Sequence, residues 1–99
     1  MAAARKRSPK SLGEILGELT RSLGIEDRMM QGRVVDTWYE ILSEPIRAQV
    51  EKAWVKGDRL FVRVKSPAWR QEIHLRRAEW LRRLNEELGR DVIREIVVR

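Results

Sequence analysis

The feature that most constrains the fold is a tight turn between two alternating segments. Gly57, Asp58 and Arg59 separate residues 51–56 from residues 60–66, and apolar and polar side chains alternate in both segments. Alternation with a period of two is the pattern of a half-buried strand, and a short connection that contains glycine is typical of a β-hairpin. The sequence therefore predicts a hairpin with one face toward a core and one face toward solvent.

A helix is predicted directly after the hairpin. Ser66 is suited to cap its N-terminus, and Pro67 is tolerated in its first turn. Apolar side chains then repeat at helical spacing as far as Gly89, a residue type at which helices commonly end. We expect one continuous helix, the third of the chain. Its buried side chains are predicted to be Trp69, Ile73, Trp80, Leu84 and Leu88.

Two helices are predicted before the hairpin. Apolar side chains recur at helical spacing over residues 11–24 and again over residues 26–42. Pro45 marks the end of the second helix, because proline cannot continue a helix interior. Residues 45–50 could add one helical turn or could begin the first strand.

The β-branched residues of segment 91–99 predict a third strand. Helices packed on one face of a small three-stranded sheet, in the order α-α-β-β-α-β, make an α+β domain. One such domain is predicted for residues 11–99. Residues 1–10 have no apolar periodicity and are predicted to form a disordered basic tail.

Positive charge is concentrated in two regions of the chain. The protein has 99 residues and a net charge of +6. Residues 1–10 hold four cations and no acid, and residues 52–83 hold ten cations and three acids. Residues 11–51 hold four cations and eight acids. This asymmetry predicts one surface for a polyanion and another surface for a different partner.

The solvent-facing side of the hairpin is the candidate binding surface, since aromatic side chains interleaved with cations can stack bases and hold phosphates. The candidate nucleic-acid-binding residues lie in the tail, the hairpin and the helix after it. They are Arg5, Lys6, Arg7, Lys52, Lys56, Arg59, Phe61, Arg63, Lys65, Arg70 and Arg76. Trp54 shares a strand face with Lys52 and Lys56 and could join this surface. Packing of Trp54 beneath the third helix is the favoured interpretation.

Little in the sequence points to catalysis. The chain has one histidine and no cysteine, so it offers no thiolate metal site and no thiol nucleophile. His74 has no partner that spacing identifies and is interpreted as a surface histidine. We expect no catalytic residue, no metal, no cofactor and no small-molecule substrate. A cysteine-free chain without an apolar run long enough to cross a bilayer is predicted to be cytoplasmic, with no membrane contact.

Four motifs resemble the bacterial DciA-like domain family. They are the tryptophan of the second helix (Trp38), the Gly-x-x-Leu-x-Val-x-Val hairpin from Gly57, the Ser-x-x-Trp-x-x-Glu-Ile step from Ser66, and the Leu-Asn-x-x-Leu-Gly helix end from Leu84. The resemblance covers roughly residues 12–99. It implies a fold related to KH domains, nucleic-acid binding, and a role in delivering the replicative helicase to DNA.

The charge pattern and this resemblance together favour a non-enzymatic adaptor. We expect it to bind nucleic acid, with single-stranded or forked DNA preferred, and to help recruit or load the replicative helicase in bacterial DNA replication. Two alternatives stay open. One is an RNA-binding factor, and the other is a protein-interaction or oligomerisation domain that binds no nucleic acid.

Overall fold

The computed structural model describes residues 27–99, so the predicted tail and the predicted helix over residues 11–24 lie outside the described part of the chain. Helices and strands are numbered from residue 27. They are α1 (residues 27–41), α2 (Glu44–Gln49), β1 (Val50–Lys56), β2 (Arg59–Val64), α3 (Pro67–Leu75), α4 (Arg77–Leu88) and β3 (Glu95–Val98). Residues Gln31–Arg99 form one compact unit.

The three strands form a mixed sheet in the order β1-β2-β3. β1 and β2 are antiparallel and are joined by a turn at Gly57 and Asp58. Gly57 has a φ of 64°, a conformation that glycine adopts without steric cost. β3 runs parallel to β2, and α3 and α4 provide the crossover that a parallel pair requires. The predicted hairpin and the predicted third strand are confirmed.

The core lies between the helices and one face of the sheet. Leu60, Val62 and Val64 of β2 are at most 1% exposed, and Ile96 of β3 pairs with Leu60 on the same face. The helices cover this face with a set of buried apolar side chains. These are Val34, Trp38, Ile73, Trp80, Leu84 and Leu88, and Leu42, directly after α1, is buried as well. The predicted α+β class, with helices on one face of a three-stranded sheet, is confirmed.

The prediction of one continuous third helix is wrong. The backbone of Arg76 lies at φ −105° and ψ 18°, so α3 ends before it and α4 begins after it. No proline or glycine marks this break. The helical spacing of apolar residues continues across it, so the spacing alone predicts one helix. Ile73 and Trp80, on either side of the break, are both buried. Trp69, predicted to be buried, is only half-buried.

The predicted ends of this helical segment are confirmed. The hydroxyl of Ser66 accepts a hydrogen bond from the backbone N–H of Trp69 at 3.4 Å, and Pro67 lies in the first turn of α3. Gly89 follows α4 with a left-handed φ of 84°. A residue with a Cβ is strained in that conformation, which explains why the helix ends at a glycine.

Residues 45–50 combine the two alternatives that the sequence left open. Pro45 lies in the first turn of the six-residue helix α2, and Val50 begins β1. The order within the described residues is therefore α-α-β-β-α-α-β, with α2 and the divided third helix as the differences from the prediction. The relation to KH domains stays a prediction.

A buried asparagine fastens the loop before β3 to α4. Asn85 is 8% exposed, and its Nδ2 donates to the carbonyl oxygen of Ile93 at 2.8 Å. Its Oδ1 accepts from the backbone N–H groups of Val92 and Ile93 at 3.0 and 3.1 Å. The backbone groups of Ile93 would otherwise lose these hydrogen bonds away from water, whereas the N–H of Val92 also lies 3.0 Å from the carbonyl oxygen of Arg90. Asn85 thus fixes the path of the chain into β3.

Replacing Asn85 with aspartate is expected to lower the free energy of unfolding by about 2–4 kcal/mol, because a carboxylate oxygen would face the carbonyl of Ile93 in a buried site. Urea denaturation followed by circular dichroism measures the loss. Gln71→Glu makes the same amide-to-acid change on the exposed side of α3 and is expected to cost less than about 0.5 kcal/mol. Equal losses in the two variants would contradict the role given to Asn85.

Candidate nucleic-acid interface

The sheet face opposite the core carries most of the predicted binding residues. Side chains on this face form rows across the strands, because residues that pair directly point to the same side. Lys52 pairs with Arg63, and Trp54 pairs with Phe61. Phe61 also pairs with Val97 of β3. The rows differ in chemistry, and two of them make the candidate site.

The first row has a cation on every strand. Lys52 of β1 lies opposite Arg63 of β2. Arg99 donates its backbone N–H to Val62 and accepts from Val64, each at 2.8 Å, which continues the parallel ladder and sets Arg99 beside Arg63. Lys52, Arg63 and Arg99 are termed the cationic row. Among residues 27–99, no acid forms an ion pair with any of the three.

Like charges directly opposite each other destabilise a sheet. The cationic row repeats this unfavourable arrangement at both strand pairings, and no acidic side chain within the described residues forms an ion pair with it. A bound anion would remove the repulsion. The row is therefore complementary to a polyanion rather than to a neutral surface.

The second row is aromatic and lies directly beside the cationic row. The rings of Trp54 and Phe61 stack with their centres 5.5 Å apart and their planes 7° from parallel. Lys52 Nζ lies 5.3 Å and Arg63 Cζ lies 5.5 Å from the centre of the Trp54 ring. Arg99 Cζ lies 5.1 Å from the centre of the Phe61 ring. The two rows thus form one connected surface of rings and cations.

Trp54 does not pack beneath the third helix, and that prediction is wrong. Its pairing with Phe61 sets it on the face opposite Leu60 and Val62, which the helices cover. Phe61 is 8% exposed, whereas Trp54 is half-buried. Trp54 is therefore the more accessible ring of the stacked pair.

The third row is closer to neutral. Lys56 pairs with Arg59 across the hairpin, and Arg59 forms an ion pair with Glu95 at 3.1 Å. Lys65 follows the end of β2 and is exposed. The unpaired positive charge of the sheet is thus greatest at the cationic row and at the adjoining end of β2.

The structure brings together the predicted binding residues of the hairpin and leaves others apart from them. Arg70 lies on α3, where its guanidinium donates to the carbonyl oxygen of Val64 at 3.0 Å. Arg76 lies between α3 and α4 and pairs with Glu72 at 3.0 Å. Both belong to the helical segment that covers the opposite face of the sheet. The predicted tail residues 5–7 lie outside the described part of the chain.

Arg99 belongs to the cationic row, and sequence reasoning did not find it. Alternation in segment 95–99 places Arg99 on the same side as Glu95 and Val97, so the strand pattern contained a usable signal. The sequence does not show which strand lies beside segment 95–99. Only the parallel pairing of β3 with β2 shows that this side continues the face of Arg63.

Other kinds of site find little support in residues 27–99. His74 is exposed, and its Nε2 lies 3.3 Å from Nη1 of Arg77. Within this range no three histidine, aspartate or glutamate side chains are arranged to hold a metal ion. The helices of the described part are too short or too polar to cross a membrane.

The fold and this surface define a small α+β module with a core of helices on one side of a sheet and a cationic, aromatic face on the other. The chain belongs to the DciA family. Residues 11–98 match the family described as "Dna[CI] antecedent, DciA". The resemblance predicted from the sequence motifs is confirmed.

Relatives of this chain occur in several actinobacteria. A UPF0232 protein of Streptomyces coelicolor is 32% identical over 99 residues, which cover 98% of this chain and 52% of that protein. A UPF0232 protein of Mycobacterium tuberculosis is 25% identical over 92 residues, which cover 93% of this chain and 49% of that protein. The chain spans about half the length of the curated relatives it matches. No solved structure gives a significant match.

Proposed function

We propose that this protein is a non-enzymatic adaptor of DNA replication that binds DNA through the outer face of its sheet and helps recruit or load the replicative helicase. Membership of the DciA family supports the link to replication. The observation that carries DNA binding is the cationic row, which sets three like charges side by side without an acidic partner in residues 27–99. A phosphate backbone supplies the missing negative charge.

The width of the cationic row fits a short stretch of one nucleic-acid strand. Neighbouring strands lie about 4.8 Å apart, so a row across three strands spans roughly 10 Å. One strand of a duplex has a phosphate for about every 3.4 Å of helix axis, and the phosphates themselves are farther apart because the backbone winds around the axis. Lys52, Arg63 and Arg99 can therefore contact about two or three phosphates, and Lys56 and Lys65 can extend the contact.

The proposed partner surface lies elsewhere. The sequence predicts that the acidic part formed by the first two predicted helices, or its apolar seams, faces a protein. Asp36 and Glu40 of α1 are exposed. Much of this acidic part lies outside the described residues. We assign the replicative helicase to it because a positively charged sheet engaged with DNA leaves an acidic surface available to a second partner. A replication factor of this kind would act in the cytoplasm.

Fluorescence-anisotropy titration of labelled strands tests the proposal. Single-stranded and forked DNA are expected to bind more tightly than duplex DNA or RNA. Three to five phosphate contacts predict a slope of about −2 to −4 for the logarithm of the binding constant against the logarithm of salt concentration. Tighter binding of RNA would favour the RNA-binding alternative. Absence of binding at low salt would overturn the proposal and favour a protein-interaction domain.

A further inference from the structure

We propose that Trp54 is a stacking platform for an unpaired base, and that this residue makes the sheet face prefer a single strand over a duplex. The inference deepens the proposed nucleic-acid binding and depends on it. It assigns different tasks to the two rows: the cationic row holds phosphates, and the half-buried ring of Trp54 beside it binds only a base that is free to stack.

The position of the Trp54 ring suits this task. β1 is an edge strand of the three-stranded sheet, so Trp54 stands at one end of its row. Phe61 lies against it with ring planes 7° from parallel and fixes the orientation of the indole. Phe61 is buried, whereas Trp54 keeps accessible surface. A rigid, partly exposed aromatic ring binds a planar base with little loss of conformational freedom.

The cations over the ring connect the base to its phosphate. Lys52 and Arg63 both lie over Trp54 and both belong to the cationic row. An exposed cation–π contact is weaker than the stacking of a base on an aromatic side chain. A base that arrives at Trp54 can therefore displace a cation from the ring, and the released cation then lies within reach of the adjacent phosphate. Stacking and phosphate contact thus reinforce each other.

Duplex DNA cannot use this platform without distortion. In a duplex the flat faces of the bases are stacked on each other, and only the base edges are accessible in the grooves. To place a base face on Trp54, the duplex would have to unstack and unpair it, which costs free energy. A single strand already presents free base faces. The ring therefore favours unpaired nucleotides, while the cations favour any polyanion.

The test compares variants of the full chain on matched ligands. Trp54→Leu removes the ring, Trp54→Phe keeps a smaller ring, and Trp69→Leu removes a half-buried tryptophan from α3 as a control. The ligands are an oligothymidine strand, an abasic strand of the same length, a duplex, an oligouridine strand and polyglutamate. Each is titrated by fluorescence anisotropy at several salt concentrations, and circular dichroism confirms that every variant is folded.

We expect Trp54→Leu to weaken binding of the oligothymidine strand about 5- to 150-fold, the range for one lost base–aromatic stack. Trp54→Phe is expected to recover most of this loss, and Trp69→Leu to leave binding unchanged. The abasic strand should bind the original protein as weakly as oligothymidine binds the Trp54→Leu variant. The salt slope, which is the slope of the logarithm of the binding constant against the logarithm of salt concentration, should be the same for Trp54→Leu as for the original protein, because the phosphate contacts remain. Comparison with oligouridine identifies whether the preferred strand is DNA or RNA.

Several results would overturn the inference. If Trp54→Leu binds oligothymidine as well as the original protein does, the platform is absent and the phosphate contacts alone account for binding. If it loses affinity equally for the single strand, the duplex and the abasic strand, the indole supports the surface and does not stack a base. If polyglutamate binds as tightly as oligothymidine, the surface recognises charge without bases. Failure of the original protein to bind any strand would overturn the proposed function as well.

Discussion

Replacement of Lys52, Arg63 and Arg99 by glutamine is expected to weaken the binding of single-stranded DNA roughly 5- to 150-fold, since three exposed ion pairs are together worth about 1–3 kcal/mol. The salt slope is expected to become shallower by about 2, because each phosphate contact on a single strand contributes roughly 0.7. Both effects follow from the position of the three cations side by side on adjacent strands. Anisotropy titrations at several salt concentrations measure them.

A control variant removes the same amount of charge from another surface. Arg82 lies in the middle of α4, and Arg90 and Arg94 lie in the loop between α4 and β3. The three side chains line neighbouring surface depressions. Their replacement by glutamine lowers the net charge from +6 to +3, as the row variant does. We expect the control variant to bind single-stranded DNA with the same salt slope as the original protein. Equal losses in the two variants would mean that net charge, rather than the cationic row, drives binding.

The row variant is expected to remain folded. Its substitutions remove cation–π contacts worth about 0.5–1 kcal/mol each, but they also relieve repulsion between like charges of a similar size. Thermal unfolding followed by circular dichroism checks this balance. A large fall in the melting temperature would show that the cations stabilise the sheet, and the loss of binding would then say nothing about phosphate contacts.

Replacement of Trp38 by alanine is expected to lower the free energy of unfolding by about 3–5 kcal/mol, the cost of a large cavity in a packed core. Trp38 is 0% exposed and packs edge to face on Trp80, with ring centres 5.7 Å apart. Arg83 lies over the Trp80 ring at 4.8 Å and donates to the carbonyl oxygen of Ile41 at 3.3 Å. Loss of Trp38 thus disturbs the contact between α1 and α4.

Phenylalanine at the same position restores part of the volume that alanine removes. The indole Nε1 of Trp38 is buried without a hydrogen-bond acceptor, and a buried unpaired donor costs about 1–3 kcal/mol. Trp38→Phe and Trp38→Ala both remove this donor, but Trp38→Phe also fills part of the cavity, so its loss of stability should be at least about 1 kcal/mol smaller than that of Trp38→Ala. Urea denaturation measures both variants. Equal losses would contradict the role given to the volume of the ring in this core.

The hairpin, the helix ends and most of the core could be predicted from the sequence because their causes are local. A glycine with φ of 64° makes the turn, Ser66 caps α3, and Gly89 ends α4 in a conformation that suits glycine. Apolar spacing likewise predicts the burial of Trp38 and Leu84. Each of these features depends on residues only a few positions apart in the chain.

The break at Arg76 could not be predicted in this way. No residue there disfavours a helix, and the apolar pattern continues across it, so packing against the sheet decides where α3 ends. The position of Trp54 was misjudged for a related reason. Strand alternation shows which residues share a side, but it does not show which side the helices cover.

By itself, the sequence determined the strand alternation, the helix caps, the family and the concentration of positive charge in residues 52–83. The tertiary structure alone decided that Trp54 stacks on Phe61 and that Arg99, far away in the chain, completes a row with Lys52 and Arg63. The physical reason is that side-chain periodicity is a local property, whereas a surface that spans three strands is created by strand pairing. That pairing is fixed only when the apolar faces of the strands and helices are buried together.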